Sequence, residues 1–183
     1  MKKLLLPMFA VVAMAFSTQA YAQKNPMVGG AAMYADKDIV DNAVNSKDHT
    51  TLVAAVKAAG LVETLKSAGP FTVFAPTNEA FAKLPAGTVE TLLKPENKEM
   101  LTKILTYHVV AGKMDAKSIA KAIKAGNGKA ELTTVAGEKL WASMEGSKLV
   151  LKDVKGGVAT VTIANVMQKN GVIHVIDTVL MPN

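Results

Sequence analysis

Two periodicities divide the chain. From Asp38 to Ala125 apolar residues return at helical spacing, and from Gly128 onward they alternate. The helical part predicts a short helix over 38–44. A second follows over 50–59, with Leu52, Val53 and Val56 on one face, Asp48 or Thr50 as cap and Gly60 as stop. Residues 61–67 add a turn or two before Gly69-Pro70 breaks them. Thr77 caps a helical turn holding Phe81, and Leu92 and Leu93 lie in the next. A stronger helix spans 96–107 with Met100, Leu101, Ile104 and Leu105 as its stripe. Asp115 opens the last helix, over 115–125, which turns Ile119 and Ile123 inward and ends at Gly126. Phe71-Thr-Val-Phe-Ala75 interrupts this half as a β-type run that must pair at a distance.

The alternating half reads as strands over 130–135, 139–144, 148–154, 158–166 and 172–180. Gly137, Glu145-Gly146, Gly156-Gly157 and Asn170-Gly171 are the turns between them. Helices followed by a meander predict an α+β domain in which helices cover a twisted, largely antiparallel sheet or sandwich. Asn170-Gly171 is expected to supply the positive φ of a tight hairpin. The strand after it is apolar on both faces and is expected to be the most buried. Asp177 within it needs a hydrogen-bond partner, for which His174 and backbone amides are the candidates. Pro76, with no amide proton, ends the Phe71 strand, and Thr77 and Asn78 can accept from the free amides of the following helix.

The first 22 residues follow neither pattern. Lys2 and Lys3 precede an uncharged apolar run, Leu4 to Phe16, and the segment ends Ala20-Tyr21-Ala22, the small-x-small sequence that signal peptidase accepts. The run of 13 residues is short of the roughly 20 that span a bilayer. A cleaved secretory signal is therefore preferred over a membrane anchor, and export to the periplasm or the medium is expected. No cysteine follows to accept a lipid. Residues 23–35, with Pro26, Gly29 and Gly30, read as a flexible leader or a loosely docked arm, which leaves 36–183 as one domain.

Composition removes several functions. The chain has no cysteine, so packing alone must hold the fold, and thiol chemistry and thiolate metal sites are excluded. Beyond residue 22 there are 19 Lys against 15 acidic residues and no Arg, with the lysines scattered. Nucleic-acid readers rely on the bidentate guanidinium, so no nucleic-acid partner is expected. Mild attraction to an anionic surface or polysaccharide is the functional side of this charge, and a solvated surface the plainer one. No later stretch is apolar enough to span a membrane.

Three segments carry a resemblance. Phe71-Thr-Val-Phe-Ala-Pro-Thr-Asn-Glu-Ala-Phe81, Tyr107-His108-Val-Val, and Asn170-Gly-Val-Ile-His-Val-Ile-Asp-Thr-Val-Leu-Met-Pro182 occur in an order and spacing that closely resemble the fasciclin-like domain. The likeness covers about 36–183, with Phe74, Pro76, Thr77, Asn78, Phe81, Asn170, Gly171, His174 and Asp177 as its motif positions. It implies a wedge-shaped antiparallel β-sandwich with covering helices, in secreted and cell-surface proteins that mediate adhesion. It also implies that Tyr107 and His108 lie in the region that animal members use to contact receptors. The plainer reading makes His108 a buried histidine bonded to nearby backbone, with Tyr107 packed beside it. Before the last segment adhesive members tend to carry Asp-Ile, where this chain has Asn165-Val166, so carboxylate-dependent integrin recognition is not carried over.

No catalytic constellation accompanies these segments. His49, His108 and His174 are not at metal-ligand spacing, no serine sits in a G-x-S-x-G elbow, and no glycine motif cradles phosphate. The dispersed methionines read as core filling, and Trp141 as half-buried in a strand rather than as a ligand platform. The expectation is a non-enzymatic binding module without cofactor or metal, contacting a protein or polysaccharide at a cell surface or matrix. A single-copy module bridges two surfaces only by weak self-association or through its leader. The rival is a carrier holding a small apolar ligand between helices and sheet. An enzyme of unrecognised type comes third.

Overall fold

Residues 25–183 are described in the computed structural model of the chain, so the signal reading of 1–22 lies outside them. Of the segment expected to be a flexible leader or a loosely docked arm, residues 27–33 are docked. Met27–Val28 (β1) and Ala31–Ala32 (β2) pair as a hairpin, with Gly29 and Gly30 at positive φ between them. Val28 and Met33 are buried, Lys47 donates its amide to Gly29 O (3.1 Å), and Met33 donates to Pro26 O (2.9 Å). Two buried apolar side chains tie the arm down, a signal hidden in the sequence by the flanking Ala and Gly.

The helices follow: α1 (Ile39–Ala43), α2 (Thr50–Ala59), α3 (Val62–Lys66), α4 (Asn78–Ala82), α5 (Thr88–Leu92), α6 (Lys98–Tyr107) and α7 (Ala116–Ala125). Their ends obey local chemistry. Asp38, Thr77 and Asp115 each accept from the amide three residues on, and Gly60 stops α2 in the left-handed region. Neither Asp48 nor Thr50 caps α2. Its Thr51 amide is held by Asn78 Oδ1 (3.0 Å), from α4.

The strands are β3 (Phe71–Pro76), β4 (Val109–Ala111), β5 (Lys129–Thr133), β6 (Lys139–Glu145), β7 (Lys148–Lys152), β8 (Val158–Gln168) and β9 (Gly171–Ile176). They form one sheet in the order β4-β3-β9-β8-β7-β6-β5. The pairing is antiparallel except β3 with β9, which is parallel from Phe71↔Gly171 to Pro76↔Ile176. All six residues of β9 are buried, as its two apolar faces predict.

The α+β class holds, but the sheet is not laid out as two separate layers. Register shifts in β8 bend it beside Asn165, which has a φ of 61°. The sheet's outermost strands then approach each other: Val110 bridges Thr134, and Val135 donates its amide to Val109 O (2.7 Å). The result is a nearly closed barrel. One core lies between α1–α6 and the sheet, around Ile39, Val56, Leu101, Ile104 and Ile173. The second joins the two ends of the sheet through Phe74, Leu140, Leu151 and Ile176, with Ile119 and Ile123 of α7 packed into it.

Candidate functional site

Tyr107 and His108 end α6 and lead into β4. Leu101, Ile104 and Leu105 bury one face of that helix, and the same turn carries Tyr107 and His108 into the protein. Tyr107 is fully buried, and its hydroxyl donates to Lys139 O (2.8 Å) and accepts from the Val154 amide (3.3 Å). It thereby ties α6 to β6 and to the turn after β7. Burial pushes its phenol up to about 12. His108 Nδ1 lies 2.8 Å from Ile104 O, and its Nε2 accepts from the Leu180 amide (3.0 Å). Nδ1 therefore carries the proton, and the ring is neutral. Burial lowers its proton affinity to a pKa of about 4, although Ile104 O and Asp153 pull the other way. Neither side chain reaches the surface.

The motif positions around this pair turn out to be internal fasteners. Phe74 is buried, and its ring stacks on His174 with centroids 5.6 Å apart. His174 Nε2 is 2.9 Å from Met114 O, which pins the entry to α7 against β9. Pro76 closes β3 and Phe81 is buried on α4. Thr77 caps α4 as expected, but Asn78 does not serve that helix. It reaches to α2, accepting from Thr51 and donating to Lys47 O (2.8 Å). Asp177 lies just past β9 and takes the Thr160 amide (2.8 Å); His174 is not its partner.

Asn170-Gly171 departs furthest from expectation, because neither residue has a positive φ. Asn170 is a buried clasp: its Oδ1 accepts from the Ile39 amide (3.1 Å), and its Nδ2 donates to Leu65 O (2.7 Å) and Ser67 O (2.9 Å). Gly171 is needed for closeness. A Cβ there would sit 2.1 Å from Phe71 O and 3.1 Å from Ile39 Cδ1.

Two more residues complete the frame: Asp153, which the sequence left unmarked, and Asn165, marked there only as a departure from the adhesive pattern. Asp153, buried, accepts from Gly157 (2.6 Å), Lys155 (3.0 Å) and Met181 (2.9 Å), joining the β7–β8 turn to the last residues. The Asp-x-x-Gly-Gly pattern at 153–157 is the signal for it. Asn165, in the left-handed region, accepts from the first amide of α7 (2.7 Å). The position that distinguishes this chain from the adhesive pattern therefore holds a helix in place.

Two surface features remain. Met27, Tyr34 and Val44 are 59%, 43% and 48% exposed, all within the segment 27–44, and Lys37 Nζ lies 5.0 Å from the Tyr34 ring centroid. Between helices and sheet an apolar cavity of about 80 Å³ has His49 among its lining residues. Among the described residues no group of three or more His, Asp and Glu is placed to hold a metal ion, and no helix is long and apolar enough to cross a membrane.

A fasciclin domain model matches residues 47–182. Protein sll1483 of Synechocystis is 51% identical over 160 residues, covering 87% of this chain and 82% of that protein. The cell surface glycolipoprotein MPB83 of Mycobacterium bovis is 37% identical over 169 residues, covering 88% of this chain and 69% of its own. The solved FAS1 domain pair from the insect cell adhesion molecule fasciclin I superposes with a TM-score of 0.57 at 26% identity, over 76% of this chain and 45% of the pair. With its three sequence segments in place as the fasteners of one curled sheet, this chain belongs to the fasciclin domain family.

Proposed function

We propose that this chain is an exported, non-enzymatic binding module of adhesion type, which holds a protein or a polysaccharide at a cell surface or in a matrix. The reading is carried by its structural likeness to domains of a cell adhesion molecule. The contact region that fits best is the hairpin and α1, where Met27, Tyr34 and Val44 stand out into solvent. Aromatic and methionine side chains of this kind are enriched at protein interfaces. Tyr107 and His108 serve this role by holding the frame rather than by touching the partner.

The test compares the secreted protein with a Met27→Ser, Tyr34→Ala, Val44→Ser triple variant for attachment to cells, matrix proteins and a polysaccharide panel. Saturable attachment that falls at least about tenfold in the variant, with melting unchanged, is the expected result. Full attachment by the variant moves the contact elsewhere, and no attachment to any surface ends the adhesion reading. Export is checked separately: the protein recovered outside the cytoplasm should begin at Gln23. The apolar cavity favours a second role, carriage of a small apolar ligand, which is compatible with the first.

A further inference from the structure

The strands β5 to β8 have one face inside and one outside. Their inner residues, among them Leu132, Leu140 and Leu151, are buried in one cluster with Ile119 and Ile123 of α7. The register puts the alternate residues on the other side. Glu131, Trp141 and Lys152 form a row across β5, β6 and β7, and Lys129 and Ser143 begin the next row. Lys129 and Lys152 are exposed, with Trp141 half-buried on the strand between them.

Charge on this face is unbalanced. Lys139, two residues before Trp141, is paired with Glu131. Neither Lys129 nor Lys152 has a carboxylate partner among the described residues. Lys129 is held by the tryptophan instead. Its Nζ lies 4.8 Å from the Trp141 ring centroid, where the negative face of the ring attracts the ammonium. A lysine fixed in this way has lost part of its rotamer freedom before any partner arrives, so an anion meets a partly preorganised cation.

The rest of the face says what carries the anion. The Trp141 indole N–H and the Ser143 hydroxyl make no hydrogen bond to any described residue and are not buried, so both are open to solvent. Two free cations beside open hydrogen-bonding groups match a chain that repeats hydroxyls and acidic groups together. A lipid surface is a poorer match. Val158, opposite Lys152, is the one exposed apolar residue on these rows, and the apolar side of α7 is already buried.

We propose that the outer face of β5–β7 around Trp141 binds an acidic polysaccharide. Lys129 and Lys152 take its carboxylate or sulfate groups, and the indole N–H and Ser143 take its hydroxyls. The proposal rests on the binding-module reading and gives it a polysaccharide face on residues other than Met27, Tyr34 and Val44. Trp141 is the only tryptophan in the chain, so its emission reports on this face alone. The full exported chain is titrated with dextran sulfate, carboxymethyl dextran and neutral dextran of matched length. A saturable change with at least one acidic dextran, weakening with added salt, is the expected outcome. Neutral dextran should bind at least about tenfold more weakly. The double variant Lys129→Gln, Lys152→Gln should lose about tenfold in affinity with melting unchanged. Lys117→Gln with Lys121→Gln removes the same charge from exposed positions on α7 and should lose less than about twofold. Overturning results are the absence of a saturable change, an equal response to neutral dextran, or equal losses in the two double variants, which would reduce the binding to net charge. A response to phosphatidylglycerol vesicles stronger than to either acidic dextran assigns the face to a membrane and also overturns the proposal. Attachment of the Met27, Tyr34, Val44 variant to cells and matrix proteins is measured independently, so the hairpin contact and this one fail separately.

Discussion

Asn170 holds three backbone groups from two helices with one amide, linking the start of α1 to the end of α3. Removing it leaves an amide and two carbonyls without their partner. Asn170→Ala is therefore expected to cost about 2–4 kcal/mol, measured by urea unfolding. Asn170→Asp should be at least as damaging, because an acceptor would then face the Leu65 and Ser67 carbonyls. Its neighbour obeys a different rule. Gly171→Ala drives a methyl into the Phe71 carbonyl, and the parallel β3–β9 pairing must open, at a cost of about 3 kcal/mol or more. Sequence reasoning marked both residues but assigned them to a turn. An Asn-Gly pair looks the same whether it needs positive φ or close approach, and the choice is made by Ile39 and Phe71, more than 90 residues away. His49 was visible only as a residue at a helix entrance, since nothing local shows that it is buried.

At the scale of elements, α6 and α7 show how long-range bonds add to local ones. The Tyr107 hydroxyl bridges Lys139 O and the Val154 amide, so Tyr107→Phe should cost about 1–2 kcal/mol while leaving secondary structure intact by circular dichroism. Asn165→Ala loses the acceptor of the first α7 amide, leaving only the Asp115 cap, and places alanine in the left-handed region. It is expected to cost about 1–2 kcal/mol, with the earliest loss of amide-exchange protection in α7. The alternating strands after Gly128 were legible because their pleat writes directly into the sequence: Ala130 and Leu132 are buried, while Lys129, Glu131 and Thr133 are exposed. β4 was not legible, because three residues beside a helix end cannot display a period. The arm at 27–32 was hidden for a similar reason. Each of its strands is two residues long, and only Val28 and Met33 reveal the docking.

For the whole molecule, all three histidines lie inside. Burial lowers the proton affinity of each, and for His108 the folded pKa is about 4 against 6.5 in the free side chain. The unfolded chain thus takes up a proton below pH 6.5 that the native ring refuses until about pH 4. Stability is full above pH 6.5 and falls as the pH drops through that window, by about 3 kcal/mol for His108, with His49 and His174 acting in the same direction. Urea midpoints at pH 7.5 and 5.0 check this, and equal midpoints would contradict it. The α+β class was legible in the order of periodicities, whereas the closure of the sheet depends on a bend at Asn165 and on contacts of Val109 and Val110 that no local pattern encodes. The placement of β9 has one more consequence. It is the last strand in the chain yet sits third in the sheet, between β3 and β8, and the residues beyond it are fastened by His108 and Asp153. Everything made before Gly171 is two unfinished pieces of sheet, with β3 and β8 each lacking a neighbour. The polypeptide emerging from a ribosome therefore has no completed template on which to lock until β9 itself is made, and a nascent chain stalled before Gly171 should remain protease-sensitive throughout.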